Sequence, residues 1–114
     1  MNKFTEETRI RQVDEGLAIW RKANLPRRPP QGWIKTIRMA LGMTSGVLAQ
    51  RVGDVSDSAI RKLELAEAED AITLASLRRV AEALDCELQY ALIPRQPLKQ
   101  MLSEQASIVA GKQM

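Results

Sequence analysis

The sequence predicts a mainly α fold: a domain of four to five short helices, preceded by an N-terminal helix and followed by one β-strand and a C-terminal helix. Three observations carry this reading. Apolar residues recur at three- and four-residue steps from Trp33 to Leu84. The helical runs open on residues suited to capping: Thr44, then Ser56 or Asp57, then Thr73. The period changes to alternation only at Glu87–Ile93, ahead of Pro94.

The first element is a helix from Thr5 to Ala23. Glu6 and Glu7 sit in its first turn and Arg21 and Lys22 in its last, each where the helix dipole favours that charge. Ile10, Val13, Leu17 and Trp20 form a narrow apolar seam that packs either on the chain's own domain or on a second subunit. An arm follows, Leu25-Pro26-Arg27-Arg28-Pro29-Pro30-Gln31-Gly32, in which Pro26, Pro29 and Pro30 forbid helix and favour an extended linker. Arg27 and Arg28 on it either follow a phosphate backbone or keep a spacer soluble.

From Trp33 the helical period returns. Trp33, Ile34, Ile37, Ala40 and Leu41 define one helix, ended by Gly42 at the C′ position. Thr44 caps the next, Ser45 to Val52, with Val47, Leu48 and Val52 inward. After Gly53-Asp54-Val55, Ser56 or Asp57 caps a third that runs to about Leu65, with Ile60 and Leu63 inward. An acidic loop over Ala66–Ile72 leads to Thr73, which caps a fourth helix to about Leu84, with Leu74, Leu77, Val80, Ala81 and Leu84 on its apolar face.

Glu87, Leu88, Gln89, Tyr90, Ala91, Leu92 and Ile93 then read as a strand. Its backbone needs a partner, and the chain offers no second convincing strand. It either pairs with its own copy across a two-fold axis, as the dimerisation element, or lies as an extended segment on the helices. A last amphipathic helix follows Pro97, with Leu98, Met101, Leu102, Ile108 and Val109 on one side and a frayed end over Gly111–Met114. The expected organisation is therefore a helix at 1–24, an arm at 25–32, a core with its terminal strand at 33–94, and a helix and tail at 95–114.

Composition narrows the function. The single cysteine, Cys86, cannot form an internal disulfide and is expected as a buried small hydrophobe in a reduced, cytoplasmic protein. No apolar stretch approaches the ~20 residues of a membrane span, and the N-terminus lacks the order of a secretion signal. Without histidine, and with one cysteine, soft-metal sites and Ser-His or Cys-His nucleophile pairs have no residues to build them. No phosphate-binding glycine loop occurs, so neither an enzyme nor a cofactor is expected. The net charge is only +3, but it is unevenly spread. Between Gly16 and Gly53 every charged residue is basic (Arg21, Lys22, Arg27, Arg28, Lys35, Arg38 and Arg51), whereas Glu64, Glu67, Glu69 and Asp70 form an acidic block. The basic block is either a polyanion-facing surface or a set of solvated helix faces.

Two short helices joined by a glycine-containing turn make a helix-turn-helix unit. Ala49 supplies the small residue where the second helix crosses the first, Gly53 the turn residue tolerant of positive φ, and Ile60 and Leu63 the inward apolar points. On Ile37-Arg38, Leu41-Gly42-Met43-Thr44, Leu48-Ala49, Val52-Gly53, Val55-Ser56, Ile60-Arg61-Lys62-Leu63-Glu64 and Leu77–Leu84, the stretch Trp33–Pro94 resembles the Cro/C1-type (phage-repressor-like) helix-turn-helix family. The whole chain looks closest to the group labelled "mobile mystery protein A", through the Leu25–Ile34 arm and the Tyr90-Ala91-Leu92-Ile93-Pro94 ending. The strand is also similar to the one by which HipB-like antitoxins dimerise.

The resemblance implies a repressor-type DNA-binding domain, a homodimer on a palindromic double-stranded operator, and an antitoxin-like or autoregulatory role beside a Fic-type toxin partner. Carried over by position, it places Ser56, Asp57, Ser58 and Arg61 on the recognition surface, with Arg61 suited to a bidentate guanine contact. It places Thr44 and Ser45 against phosphate at a helix N-terminus. Lys35, Arg38, Lys62, Arg27 and Arg28 add salt-sensitive attraction. It assigns Glu64 a structural role at the end of the recognition helix, tying down backbone. Two departures stand out: Asp54 lengthens the usual Gly-Val-Ser turn, and Ser45 and Asp57 replace residues that are usually Gln or, at Asp57, Gln or basic. Asp57 either accepts from cytosine N4 at the groove or, preferably, caps the helix. The base preference stays open, and with it a copy that no longer binds DNA or that acts mainly by gripping a protein partner.

Overall fold

In the computed structural model, which describes residues 3–113, the chain forms six helices: α1 (Lys3–Ala23), α2 (Trp33–Ala40), α3 (Ser45–Val52), α4 (Asp57–Ala68), α5 (Leu74–Ala83) and α6 (Leu98–Gln113). They belong to two compact units, one spanning Arg27–Gln89 and the other built from the chain up to Pro26 and from Tyr90 onward.

The Arg27–Gln89 unit contains α2 to α5. Its core is Ile34, Leu48, Ala49, Ile60, Val80 and Leu84, with Ile37, Met43, Val52, Val55, Leu63, Ile72, Leu77, Ala83 and Cys86 packed around it. Each helix is only 8–12 residues long, so each turns a narrow face inward. Trp33, Leu41, Val47 and Leu74, which fit the helical pattern, are therefore exposed at the margins. Cys86 is half-buried against the core rather than enclosed by it.

The caps follow the sequence. Thr44, Ser56 and Thr73 accept from the backbone N–H groups of Val47, Ala59 and Ser76 at 3.0–3.1 Å. Of the two candidates Ser56 is thus the cap of α4, and Asp57, for which the sequence favours a capping role over a base contact, is its first helical residue. At the C-terminal ends, Gly42, Asp70 and Asp85 take positive φ. The residue after each donates back to the carbonyl five positions earlier: Met43 to Arg38, Ala71 to Ala66 and Cys86 to Ala81. Helix α4 outruns its expected end near Leu65, because Ala66, Glu67 and Ala68 are good helix formers and nothing stops the helix before Asp70.

The strand expected over Glu87–Ile93 is not formed: those residues carry no regular secondary structure. Among the described residues no second strand completes its ladder, and the alternating pattern alone cannot make one. Tyr90, Leu92 and Ile93 are exposed.

In the other unit α1 packs on α6. The Asp14 carboxylate accepts from the backbone N–H groups of Leu98 at 2.7 Å and Lys99 at 3.2 Å, capping α6 from a neighbouring helix. Arg21 donates to the Pro94 carbonyl at 3.2 Å. Ile10, Leu17 and Trp20 are half-buried while Val13 is 43% exposed, so the seam on α1 is only partly covered. Helix α6 continues through Gly111 to Gln113, past the start of the expected frayed tail; the side chains of Ile108 and Val109, and Met114 altogether, lie outside the described residues. Among the described residues no helix is long and apolar enough to cross a membrane.

Candidate nucleic-acid interface

Helices α3 and α4 pack closely around Ala49, which is 4% exposed. The turn between them is Gly53–Ser56. Gly53 has φ 88° and Asp54 φ 57°, so the additional residue is accommodated in the left-handed region, which aspartate tolerates better than most side chains. Arg79 of α5 donates to the Gly53 carbonyl at 3.0 Å and ties the turn to the next helix. No local pattern in the sequence announces that contact, because it joins positions 26 residues apart.

With Ile60 and Glu64 directed inward, α4 presents Ser56, Asp57, Ser58, Arg61 and Lys62 outward. The Ser56 and Ser58 hydroxyls lie 3.1 Å apart. Asp57 accepts a hydrogen bond from the Ser45 hydroxyl of α3 and pairs with Arg61 one turn along α4, at 3.3 Å. Ser45, Asp57 and Arg61 are thereby brought into one polar cluster, beside the Thr44 cap.

The other expected contacts are arranged differently. Arg38 is directed into the fold: its side chain is 13% exposed, it donates to both Glu64 carboxylate oxygens at 2.7 and 3.2 Å, and it donates to the Met43 carbonyl at 2.9 Å. The bond to Glu64 raises the guanidinium above its ordinary value, against the opposing effect of burial. Glu64 therefore ties down backbone only through Arg38, and it lies a turn before the helix ends. Arg28 is likewise engaged. It pairs with Asp70 at 2.6 Å and donates to the Ala68 carbonyl at 3.1 Å, closing the C-terminus of α4. Lys35 is half-buried, while Arg27 and Lys62 are exposed.

Glu67 is the residue the sequence reading missed. It is 3% exposed and accepts from the backbone N–H groups of Trp33 at 2.8 Å and Ile34 at 2.9 Å. Helix α2 starts at Gly32, which has no side chain to cap it, so α4 supplies the cap. A Cβ on Gly32 would lie 2.6 Å from Glu67 Oε1, and Gly32 has φ 89°; glycine is required there on both counts. The available signal was an acidic residue in an otherwise amphipathic helix together with an uncapped helix start, and the two are 34 residues apart.

A half-buried helix pair with a polar outward face, closed by two flanking helices, defines a DNA-binding helix-turn-helix regulator. The Helix-turn-helix family model matches residues 34–90, half of the chain, and the protein belongs to that Cro/C1-type family. Comparison with curated proteins and with solved structures found no match.

Proposed function

We propose that this chain is a cytoplasmic, sequence-specific transcriptional repressor that binds a palindromic operator as a homodimer and autoregulates its operon in an antitoxin-like role. The observation that carries the reading is the outward row Ser56, Asp57, Ser58, Arg61 and Lys62 on the second helix of the matched motif. Arg61 is assigned to a guanine edge, with Ser56 and Ser58 beside it. Thr44, and Ser45 through its backbone N–H, meet phosphate at the start of α3, and Lys35, Lys62 and Arg27 add sequence-independent attraction. Arg38 and Arg28 serve this surface indirectly, by fixing the helices that present it. Dimerisation is assigned to Glu87–Ile93, whose exposed Tyr90, Leu92 and Ile93 favour pairing with a second copy. A dimer of this kind reads half-sites about 34–36 Å apart.

The test is a gel-shift with duplex DNA from upstream of the chain's own gene, against random duplex, over a salt series. A preference for the upstream site that weakens with salt is expected. Equal retardation of both duplexes would sink the reading.

A second reading, neutralisation of a Fic-type toxin partner with weak or no DNA binding, is favoured by the α1–α6 unit, which lies outside the matched motif and keeps Val13, Ile19, Met101 and Leu102 exposed. Co-expression with a Fic-type product followed by size-exclusion chromatography tests it, and separate elution counts against it.

A further inference from the structure

We propose that Asp57 is a positioning residue that holds Arg61 for base readout and withholds its charge from non-specific phosphate; this rests on the DNA-binding function proposed above. A carboxylate on a face meant for a polyanion is unfavourable unless it does something there. Its surroundings give it a task. Oδ1 accepts from the Ser45 hydroxyl on α3 and pairs with Arg61 Nη1 at 3.3 Å on α4. The cap of α4 is Ser56, so Asp57 is not needed to satisfy the helix start. Neither contact uses Oδ2.

Arg61 is 63% exposed, on a long side chain that samples many rotamers in water. The ion pair restricts it to the Asp57 side of α4, and the Ser45 bond anchors the carboxylate to the neighbouring helix. A guanidinium has five donors in a planar fork, so one edge can remain on Asp57 while the other meets guanine O6 and N7. Where an A·T pair stands at that position no such acceptor pair is available, and Arg61 stays paired with Asp57 instead of reaching a phosphate. The residue that lowers overall attraction to DNA thus raises the ratio of specific to non-specific binding.

The experiment uses the full chain. A pool of random-sequence duplexes is selected on the wild type to define the preferred site. Affinities for that site, for every single-base variant of it and for poly(dA-dT), which lacks the O6/N7 pair, are then measured over a salt series. The variants are D57N, S45A, R61M and D57N/R61M, each checked for an unchanged thermal melt. D57N is expected to bind poly(dA-dT) more tightly, with the magnitude of the log–log salt slope increased by about 0.9. It should also lose about twofold in discrimination at one G·C position, the scale of an exposed ion pair one helical turn apart. S45A should shift the same way by less. In the R61M background, D57N should no longer change discrimination at that position.

If D57N leaves the base preference and the salt slope unchanged while R61M abolishes the preference, Arg61 reads the base unaided and the proposal is overturned. An equal effect of D57N with and without Arg61 also overturns it. Failure of the wild type to select any sequence from the pool refutes instead the DNA-reading function on which the proposal rests.

Discussion

Replacing Glu67 tests the idea that α2 is started by a side chain from α4. The E67A variant leaves the Trp33 and Ile34 N–H groups without their acceptor, and that of Ile34 is buried. A hydrogen bond to a charged group contributes about 1.5–3 kcal/mol, and stranding a buried donor costs about 1–3 kcal/mol. The two bonds share one carboxylate whose own burial is unfavourable, so they do not sum, and we expect a net loss of about 3 kcal/mol. At about 4–8 °C per kcal/mol for a domain this small, the melting temperature should fall by about 12–24 °C. E67Q does not rescue it: one amide oxygen can serve one N–H, while the amide nitrogen meets the other donor to donor, at a cost of about 2 kcal/mol. Thermal unfolding followed by circular dichroism at 222 nm reads both variants. A melting temperature within about 3 °C of the parent for both would refute the cap assignment. G32A attacks the same joint from the other side, by crowding Glu67 Oε1 and forcing alanine to positive φ, and should cost about 1–3 kcal/mol.

Other perturbations probe the rest of the architecture. Arg38→Met strands the buried Glu64 charge and should cost about 3–5 kcal/mol in urea unfolding, most of which the double variant R38M/E64L recovers because it buries no ion. Equal losses in the single and double variants would show that packing, not charge pairing, governs that site. Leu48→Ala empties a fully enclosed position where α3 meets α4 and should cost about 2–5 kcal/mol in the same assay. D14A removes the cap on α6, so amide exchange at Leu98 and Lys99 should quicken about fivefold, corresponding to about 1 kcal/mol. Unaltered exchange there would remove Asp14 from that role.

Much of the fold is legible in the sequence because its determinants are local. Thr44, Ser56 and Thr73 bond to backbone three residues ahead, and Gly42 reverses the chain next to itself, so position in the sequence is nearly position in space. Ala49, Gly53 and Ile60 likewise mark the helix-turn-helix crossing, because the demands there are on residue size and φ. The alternation at Glu87–Ile93 shows the limit of that logic: a period of two describes a side-chain pattern, whereas a strand exists only when another strand completes it.

What only the tertiary structure decided is where the charges go. In the sequence, Arg28, Arg38, Arg61 and Lys62 are all cations expected to face DNA. In the fold Asp70 takes the first, Glu64 the second and Asp57 the third, while Lys62 stays exposed on α4. Glu67, one of four acids in a short run, becomes the start of a helix 34 residues earlier. The sequence by itself determined the helices, the local caps at Thr44 and Thr73, and the motif. The partners of its ionised side chains were decided by packing, because a charge finds its counter-charge through space and leaves no periodic trace along the chain.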